Sequence, residues 1–314
     1  MKRLSTDRAQ AIVKTAAPGH ELVSVTPARA SFTNDVRILE CKTRSGKSVR
    51  LVVKFLVDQP VYASRSAVAE FSALRLARAH GVPAPEPIYL DETGSLLGVP
   101  GIVTRFVEGR QVAAPRDPIE WAETLARLLL SIHDITPDNE DRYNLYDGNH
   151  LGLYFLRDDE PERMAGHPLS DDIFHAVREL RSSRASVPAV FLHMDYWPGN
   201  VLWCEDRIAA VVDWDFASYG DPAYDVACFR MNMYLRGIKS AADVFPRRYE
   251  EESGAAVQNL GFWELASAAR TLPDPVLWIP QSRELGDAGA TDERADTEYY
   301  EFVAEARRRA YAGR

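Results

Sequence analysis

The stretch FLHMDYWPGNVLWCEDRIAAVVDWDFASYGDPAYDVA, residues 191–227, decides the reading of this chain. It contains His193, Asp195 and Asn200 as H-x-D-x-x-x-x-N, then the apolar run Ile208 to Val212, then Asp213. Each residue alone has an ordinary structural explanation: a core histidine, a turn aspartate, a left-handed asparagine after Gly199, a strand-end cap. Together they place several polar groups at the mouth of a buried strand. Such groups cost several kcal/mol unless a metal or ligand satisfies them. Downstream, Asp221-Pro222 supplies an N-cap and a first-position proline, so a helix is expected to start there. Asp225 falls in its first turn, where the dipole favours a carboxylate, and it can brace the 193–200 loop through backbone donors. Asp215, two residues beyond Asp213, lies on the same side of an extended chain and either approaches a metal or is solvated.

The Asp-to-Asn spacing followed by a strand-end Asp is that of a kinase catalytic loop. Phosphoryl transfer explains the residue types. Its transition state spreads negative charge over phosphoryl oxygens, which calls for hard oxygen ligands to Mg²⁺ and a carboxylate that orients the attacking hydroxyl. Asn200 and Asp213 would be the ligands and Asp195 the base.

Working outward, the chain has 314 residues, 46 % apolar and 26 % charged, which fits a folded globular protein of one large or two smaller domains. A net charge of −9 argues against a duplex nucleic-acid or anionic-membrane partner and permits a cationic small molecule. Cys41, Cys204 and Cys228 have no metal-ligand or disulfide-framework spacing. No apolar run approaches the roughly 18 residues of a membrane span, and the N-terminal stretch lacks a signal-peptide core; cytoplasmic residence is the expectation.

The first 105 residues predict a helix over 5–16, strands over 21–29, 36–42 and 48–56, a helix over 65–79 and a strand pair over 97–107. From residue 106 helices dominate, over 118–134, 171–182, 222–236, 260–271 and 296–312, with short strands at 189–192, 200–203 and 208–213. The expected fold is α+β and two-lobed. Residues 1–105 form a small antiparallel-sheet lobe with one key helix, residues 106–314 a larger helical lobe, and a cleft between them is the default ligand site. The polar, acidic segment 282–298 reads as an exposed loop.

The residues LHMDYWPGNVLW (192–203) and VVDWDFASYGDPAYDVA (211–227) resemble the signatures of the aminoglycoside phosphotransferase and choline kinase-like small-molecule kinases, which share a protein kinase-like fold. The resemblance covers most of the chain, fading before residue 30 and after about residue 240. It implies an ATP lysine on a strand with a helical glutamate. Lys54 is the only charge in Leu51–Leu56, and Glu70 lies on the apolar face of its helix, where a carboxylate needs a cation. The loop Ser31–Asp35 resembles the phosphate-covering turn, with Asn34 at the family's asparagine. Val103 to Val107, with Thr104 and Phe106, match the hinge that binds adenine through backbone groups. Thr104-Arg105 replaces the usual Met-Glu pair, which leaves the choice between ATP and GTP open. By the same resemblance Trp263, Trp278 and Tyr299 would wall the acceptor pocket.

The implied activity is ATP- and Mg²⁺-dependent phosphorylation of a small-molecule hydroxyl on an aminoglycoside-like antibiotic, an amino alcohol or a sugar. His193, Asp215 and Asp225 would act in support. The main alternative is a non-catalytic nucleotide-binding module, which has no need of both metal ligands and the base. A metal-dependent hydrolase would not need Lys54 and Glu70. A protein kinase would carry an Arg before Asp195 and a later A-P-E, and neither is present. Gly46-Lys47-Ser48 imitates a P-loop end but joins two strands, so it is read as a hairpin turn.

Overall fold

The computed structural model describes residues 4–28, 33–57, 61–156 and 166–312. The chain runs through α1 (Thr6–Ala16), β1 (His20–Pro27), β2 (Asp35–Thr43), β3 (Ser48–Phe55), α2 (Ala63–Ala79), β4 (Pro87–Asp91), β5 (Gly101–Arg105) and β6 (Arg110–Gln111). It continues with α3 (Pro118–His133), α4 (Asn139–Asn144), β7 (Tyr146–Asp147), α5 (Gly148–Leu151), α6 (Ser170–Leu180), β8 (Val190–Leu192), β9 (Val201–Cys204), β10 (Arg207–Val211) and β11 (Ser218–Gly220). The last helices are α7 (Ala223–Leu235), α8 (Lys239–Ser253), α9 (Leu260–Ala269), α10 (Ile279–Glu284) and α11 (Asp292–Tyr311). Two compact units result. The first comprises 1–110, 139–145 and 202–216, and the second 111–138, 146–201 and 217–314.

The first unit is built on an antiparallel sheet in the order β1-β2-β3-β5-β4. Strand alternation sorts β3 into two faces. Leu51 and Val53 join Ile12, Val13 and Ala16 of α1 and Leu39, Cys41 and Val103 in one core. Lys54, one residue out of phase, pairs in register with Val36 and Ile102 and lies on the other face. Gly101 stands opposite Phe55 in β5, and a Cβ there would collide with the Lys54 carbonyl oxygen, so the close approach of these strands requires glycine.

The expected strand pair over 97–107 is a single strand. Residues 92–100 instead form a turn organised by the buried Asp91 carboxylate, which accepts from the N–H groups of Ser95, Leu96 and Leu97 at 2.9, 2.8 and 2.7 Å. These bonds satisfy the backbone without a ladder. β5 pairs with β4 and β3.

The second unit is mainly helical, with a small sheet in the order β7-β11-β8. α7 is buried on nearly every side, and Phe229 stacks on Phe245 of α8 at 3.8 Å. α8 was not visible as a helix in the sequence. Pro246 interrupts its interior and its composition is polar, yet Ala241, Ala242, Phe245 and Tyr249 give it one buried face. The segment 282–298 is loop only over 285–291, between the end of α10 and the start of α11. Thr291 caps α11 by accepting from the Arg294 N–H, and Asp292 and Glu293 occupy its first turn, where negative charge belongs. Ser282, Ala290 and Ala295 are buried.

Helices α7, α9 and α11 are tied by a charge network. Arg230 pairs with Glu264 at 2.5 Å and Glu305 at 3.0 Å, and Arg309 bonds both carboxylates. Removing one partner of such a buried set leaves an uncompensated charge, so Glu264→Ala is expected to cost about 3–5 kcal/mol in denaturant unfolding. Burial alone would raise Glu305, but the Tyr234 hydroxyl, Arg230 and Arg309 outweigh it and hold the carboxyl below its ordinary value. A depressed carboxyl contributes stability that is full above its unfolded pKa of about 4.3 and is lost as pH falls through the lower folded value. Thermal midpoints are therefore expected to drop below about pH 4 more steeply in the wild type than in Glu305→Gln.

Candidate active site

In the first unit four predicted residues meet around one ammonium. Lys54 Nζ lies 2.9 Å from Glu70 Oε2 and 3.4 Å from Asp215 Oδ2, and it also bonds Asp213 Oδ1. Asn34 completes the cluster, donating through Nδ2 to Asp215 Oδ2 at 3.1 Å while its Oδ1 accepts the Val57 N–H at 3.1 Å. Asp215 is thus a buried, paired carboxylate rather than a solvated one. β10 ends at Val211, and Asp213, two residues on, adopts a left-handed conformation (φ 68°) that turns the chain toward Lys54. Burial opposes the Lys54 charge, but Asp213, Asp215 and Glu70 together push the ammonium well above its ordinary value. Glu70 is raised by burial, with Lys54 pulling it down and Asp213 up.

The second unit holds the loop after β8. Asp225 in the first turn of α7 accepts the N–H of His193 at Oδ2 (2.8 Å) and of Met194 at Oδ1 (2.7 Å). Met194 sits at φ 68°, a conformation that costs about 1–3 kcal/mol for a side chain of this type unless its surroundings hold it. The Asp225 clamp holds it. Asp195, the next residue, donates its N–H to His193 Nδ1 at 3.3 Å. Asn200 Nδ2 donates to the Asp195 carbonyl (2.9 Å) and to its Oδ2 (3.0 Å), so carboxylate and amide are fixed to each other. Gly199 lies under the Trp197 ring, where any Cβ would collide with ring carbons.

Two residues here were not singled out in the sequence. Arg270, just after α9, donates to the Met194 carbonyl at 3.2 Å and pairs with Asp195 Oδ1 at 3.4 Å. Burial opposes its charge, while Tyr224 and Asp195 hold it firmly protonated. His133, ending α3, faces Asp225 Oδ2 at 3.2 Å and the Tyr249 hydroxyl at 2.8 Å. The only available signals were a lone cation after LASAA and a histidine closing an apolar helix. Asp225→Asn would set an amide N–H₂ against a backbone N–H. It is expected to lower kcat about 10–100-fold with little change in the KM for ATP, as read by steady-state kinetics.

Other expectations land differently. Thr104 is buried in β5, and the Phe106 N–H already donates to the Arg50 carbonyl at 3.1 Å, with the Arg50 guanidinium 3.9 Å over its ring. Ser31 and Phe32 lie outside the described residues; Asn34 is the part of that turn that can be placed. Trp263 and Tyr299 do not wall a pocket. Both are fully buried, Trp263 edge-on to Tyr224 at 5.5 Å and Tyr299 donating its hydroxyl to the Ala268 carbonyl at 3.1 Å.

The donor chemistry fits Mg²⁺. In the first unit Lys54 offers one positive charge to three carboxylates, Asp213 among them; in the second, Asn200 has its Nδ2 committed to Asp195, which leaves its amide oxygen as the hard donor. Among the described residues no group of three His, Cys, Asp or Glu forms a self-sufficient metal cage. Mg²⁺ does not need one, because it is ordinarily held by one or two protein ligands with phosphate and water oxygens.

Residues 24–260 match the model of the phosphotransferase enzyme family. The chain belongs to that family. A homoserine kinase of Methylocella silvestris is 30% identical over 156 residues, covering 48% of this chain and 47% of the relative. The chain thus spans about half the length of the curated relatives it first matches. Among solved structures, the choline kinase LicA from Streptococcus pneumoniae gives a TM-score of 0.58 at 15% identity, covering 94% of this chain and 95% of that one. A spectinomycin phosphotransferase in complex with ADP and spectinomycin gives 0.58 at 14% identity, covering 97% and 98%. The family fold is therefore the kinase-like one expected from residues 192–227. Among the described residues no helix is long and apolar enough to cross a membrane.

Proposed function

We propose that this chain transfers the γ-phosphoryl group of ATP to a hydroxyl of a small, amine-bearing acceptor. The observation that carries the reading is Lys54 bound at once to Glu70 and Asp213. A buried lysine shared between a helical glutamate and the carboxylate beyond a strand end serves to hold phosphates, and a metal hydrolase has no use for it.

Lys54, positioned by Glu70, binds the α- and β-phosphates, and Asn34 supports Asp215 beside it. Asp213 and Asn200 would each offer an oxygen to Mg²⁺, which would supply charge neutralisation for the phosphates. Asp195 accepts the acceptor's hydroxyl proton as its oxygen bonds to the γ-phosphorus and the bond to the bridging oxygen of ADP breaks. Arg270 and Asn200 orient the Asp195 carboxylate for that role.

The acceptor class draws on the relatives. Homoserine, choline and spectinomycin all carry a hydroxyl and a cationic nitrogen. The test is ADP formation by the full chain with ATP and Mg²⁺ against such hydroxylated amines. Acceptor-dependent ADP that disappears when Mg²⁺ is chelated is expected, and ATP-independent hydrolysis would point to the other chemistry.

A further inference from the structure

The second unit contains two buried opposite charges that do not meet. Arg236, directly after α7, is 5% exposed, and its Nη1 has no hydrogen-bond partner. Asp287, between α10 and α11, is 7% exposed. Its Oδ1 accepts the Gly289 N–H at 3.2 Å, while Oδ2 has no partner. Each lies in the other's field: burial pushes Arg236 down to about 10, and Asp287 acts in the opposite direction. Yet no ion pair joins them.

This departs from the treatment of buried charge elsewhere in the unit. Arg230 is bonded to Glu264 and Glu305, Arg270 to Asp195, and Asp225 to two backbone N–H groups and His133. Stability alone would close the Arg236–Asp287 gap or fill it with apolar side chains, because a buried charge without a partner is costly. Arg236 also touches the loop that carries Asp195. The Arg236 guanidinium lies 4.3 Å over the ring of Trp197, two residues beyond Asp195 in the same loop. The neighbouring acids do not compete for a cationic ligand, since Glu298 and Glu301 share Lys239 at 2.7 and 2.5 Å and Asp292 pairs with Arg283 at 3.2 Å.

We propose that Arg236 and Asp287 form a head-group subsite for a zwitterionic acceptor, an α-amino acid whose side chain carries the hydroxyl. The guanidinium takes the carboxylate, for which its planar fork is suited, and Asp287 takes the ammonium. This rests on the reading that Asp195 orients the hydroxyl of the same molecule. It narrows the acceptor class: an amino alcohol leaves Arg236 unpaired, and a hydroxy acid leaves Asp287 unpaired.

Three probes with the same hydroxyl arm test it by calorimetric binding to the full chain: homoserine, aminopropanol without the carboxylate, and γ-hydroxybutyrate without the ammonium. Homoserine is expected to bind at least about 30-fold more tightly than either trimmed probe. Asp287→Asn, which keeps side-chain shape, and Arg236→Lys, which keeps the charge but loses the planar fork, are each expected to weaken homoserine binding about 30-fold. Asp287→Asn leaves γ-hydroxybutyrate binding unchanged, Arg236→Lys leaves that of aminopropanol unchanged, and both keep the wild-type KM for ATP. Equal binding of the three probes, no binding of homoserine, or wild-type homoserine binding by both variants would overturn the subsite. Homoserine binding without phosphoryl transfer keeps the subsite and sinks the phosphotransferase reading. Transfer to aminopropanol as readily as to homoserine does the reverse.

Discussion

Asp195→Asn is expected to lower kcat by about 10²–10⁴-fold, the range for removal of a positioned general base, with ATP affinity within about twofold of wild type. Both neighbours of the Asp195 carboxylate are donors, Arg270 to Oδ1 and Asn200 to Oδ2. A carboxamide can accept only one of them and cannot take the hydroxyl proton. Because Asp225 holds the loop through the backbone of His193 and Met194, the fold around position 195 should survive the change. Parallel measurements of kcat and of nucleotide binding separate loss of the base from loss of the site. An Asp195→Asn protein as active as wild type removes Asp195 from the chemistry.

Lys54→Met has the largest combined effect. It removes the cation proposed to bind the phosphates and leaves Glu70, Asp213 and Asp215 facing one another, for an expected stability loss of about 3–5 kcal/mol together with loss of turnover. The pH dependence between pH 8 and pH 5 should change as well. In the wild type the Lys54 ammonium is raised, so its contribution is complete below the unfolded lysine pKa of about 10.4 and is lost only as pH climbs through the higher folded value. Without Lys54 the three carboxylates are left with raised folded pKa values. The cost is present at neutral pH and relieved as pH falls toward their unfolded values. Thermal midpoints of Lys54→Met should therefore rise from pH 8 to pH 5 while those of the wild type hold steady. A variant with a flat profile would show that the carboxylates do not depend on Lys54.

The sequence exposed Lys54 and Glu70 because each is a charge standing alone in an apolar pattern, and a fold buries such charges only in pairs. Asp195, Asn200 and Asp213 stand out by their spacing. What stayed hidden depends on contacts that spacing does not encode. Arg270 and His133 act through residues 75 and 92 positions away, Asp195 and Asp225 respectively. The 92–100 turn is organised by the Asp91 side chain rather than by a hydrophobic period. Pro246 and a polar composition concealed α8, and Asp292 and Glu293, two of the acids that made 282–298 look like a loop, lie in the first turn of α11. The net charge of −9 permitted a cationic acceptor. The structure shows Glu298 and Glu301 paired with Lys239 and leaves an unpartnered oxygen on Asp287.

The most direct test of the account is transfer of a labelled γ-phosphoryl group from ATP to a hydroxylated amine by the full chain, with Mg²⁺ present and then chelated. Label is expected on the acceptor hydroxyl, dependent on Mg²⁺ and abolished in Asp195→Asn. Tight ATP binding with no label on any acceptor, in wild type and variant alike, would contradict it and make the protein a nucleotide-binding module without catalysis.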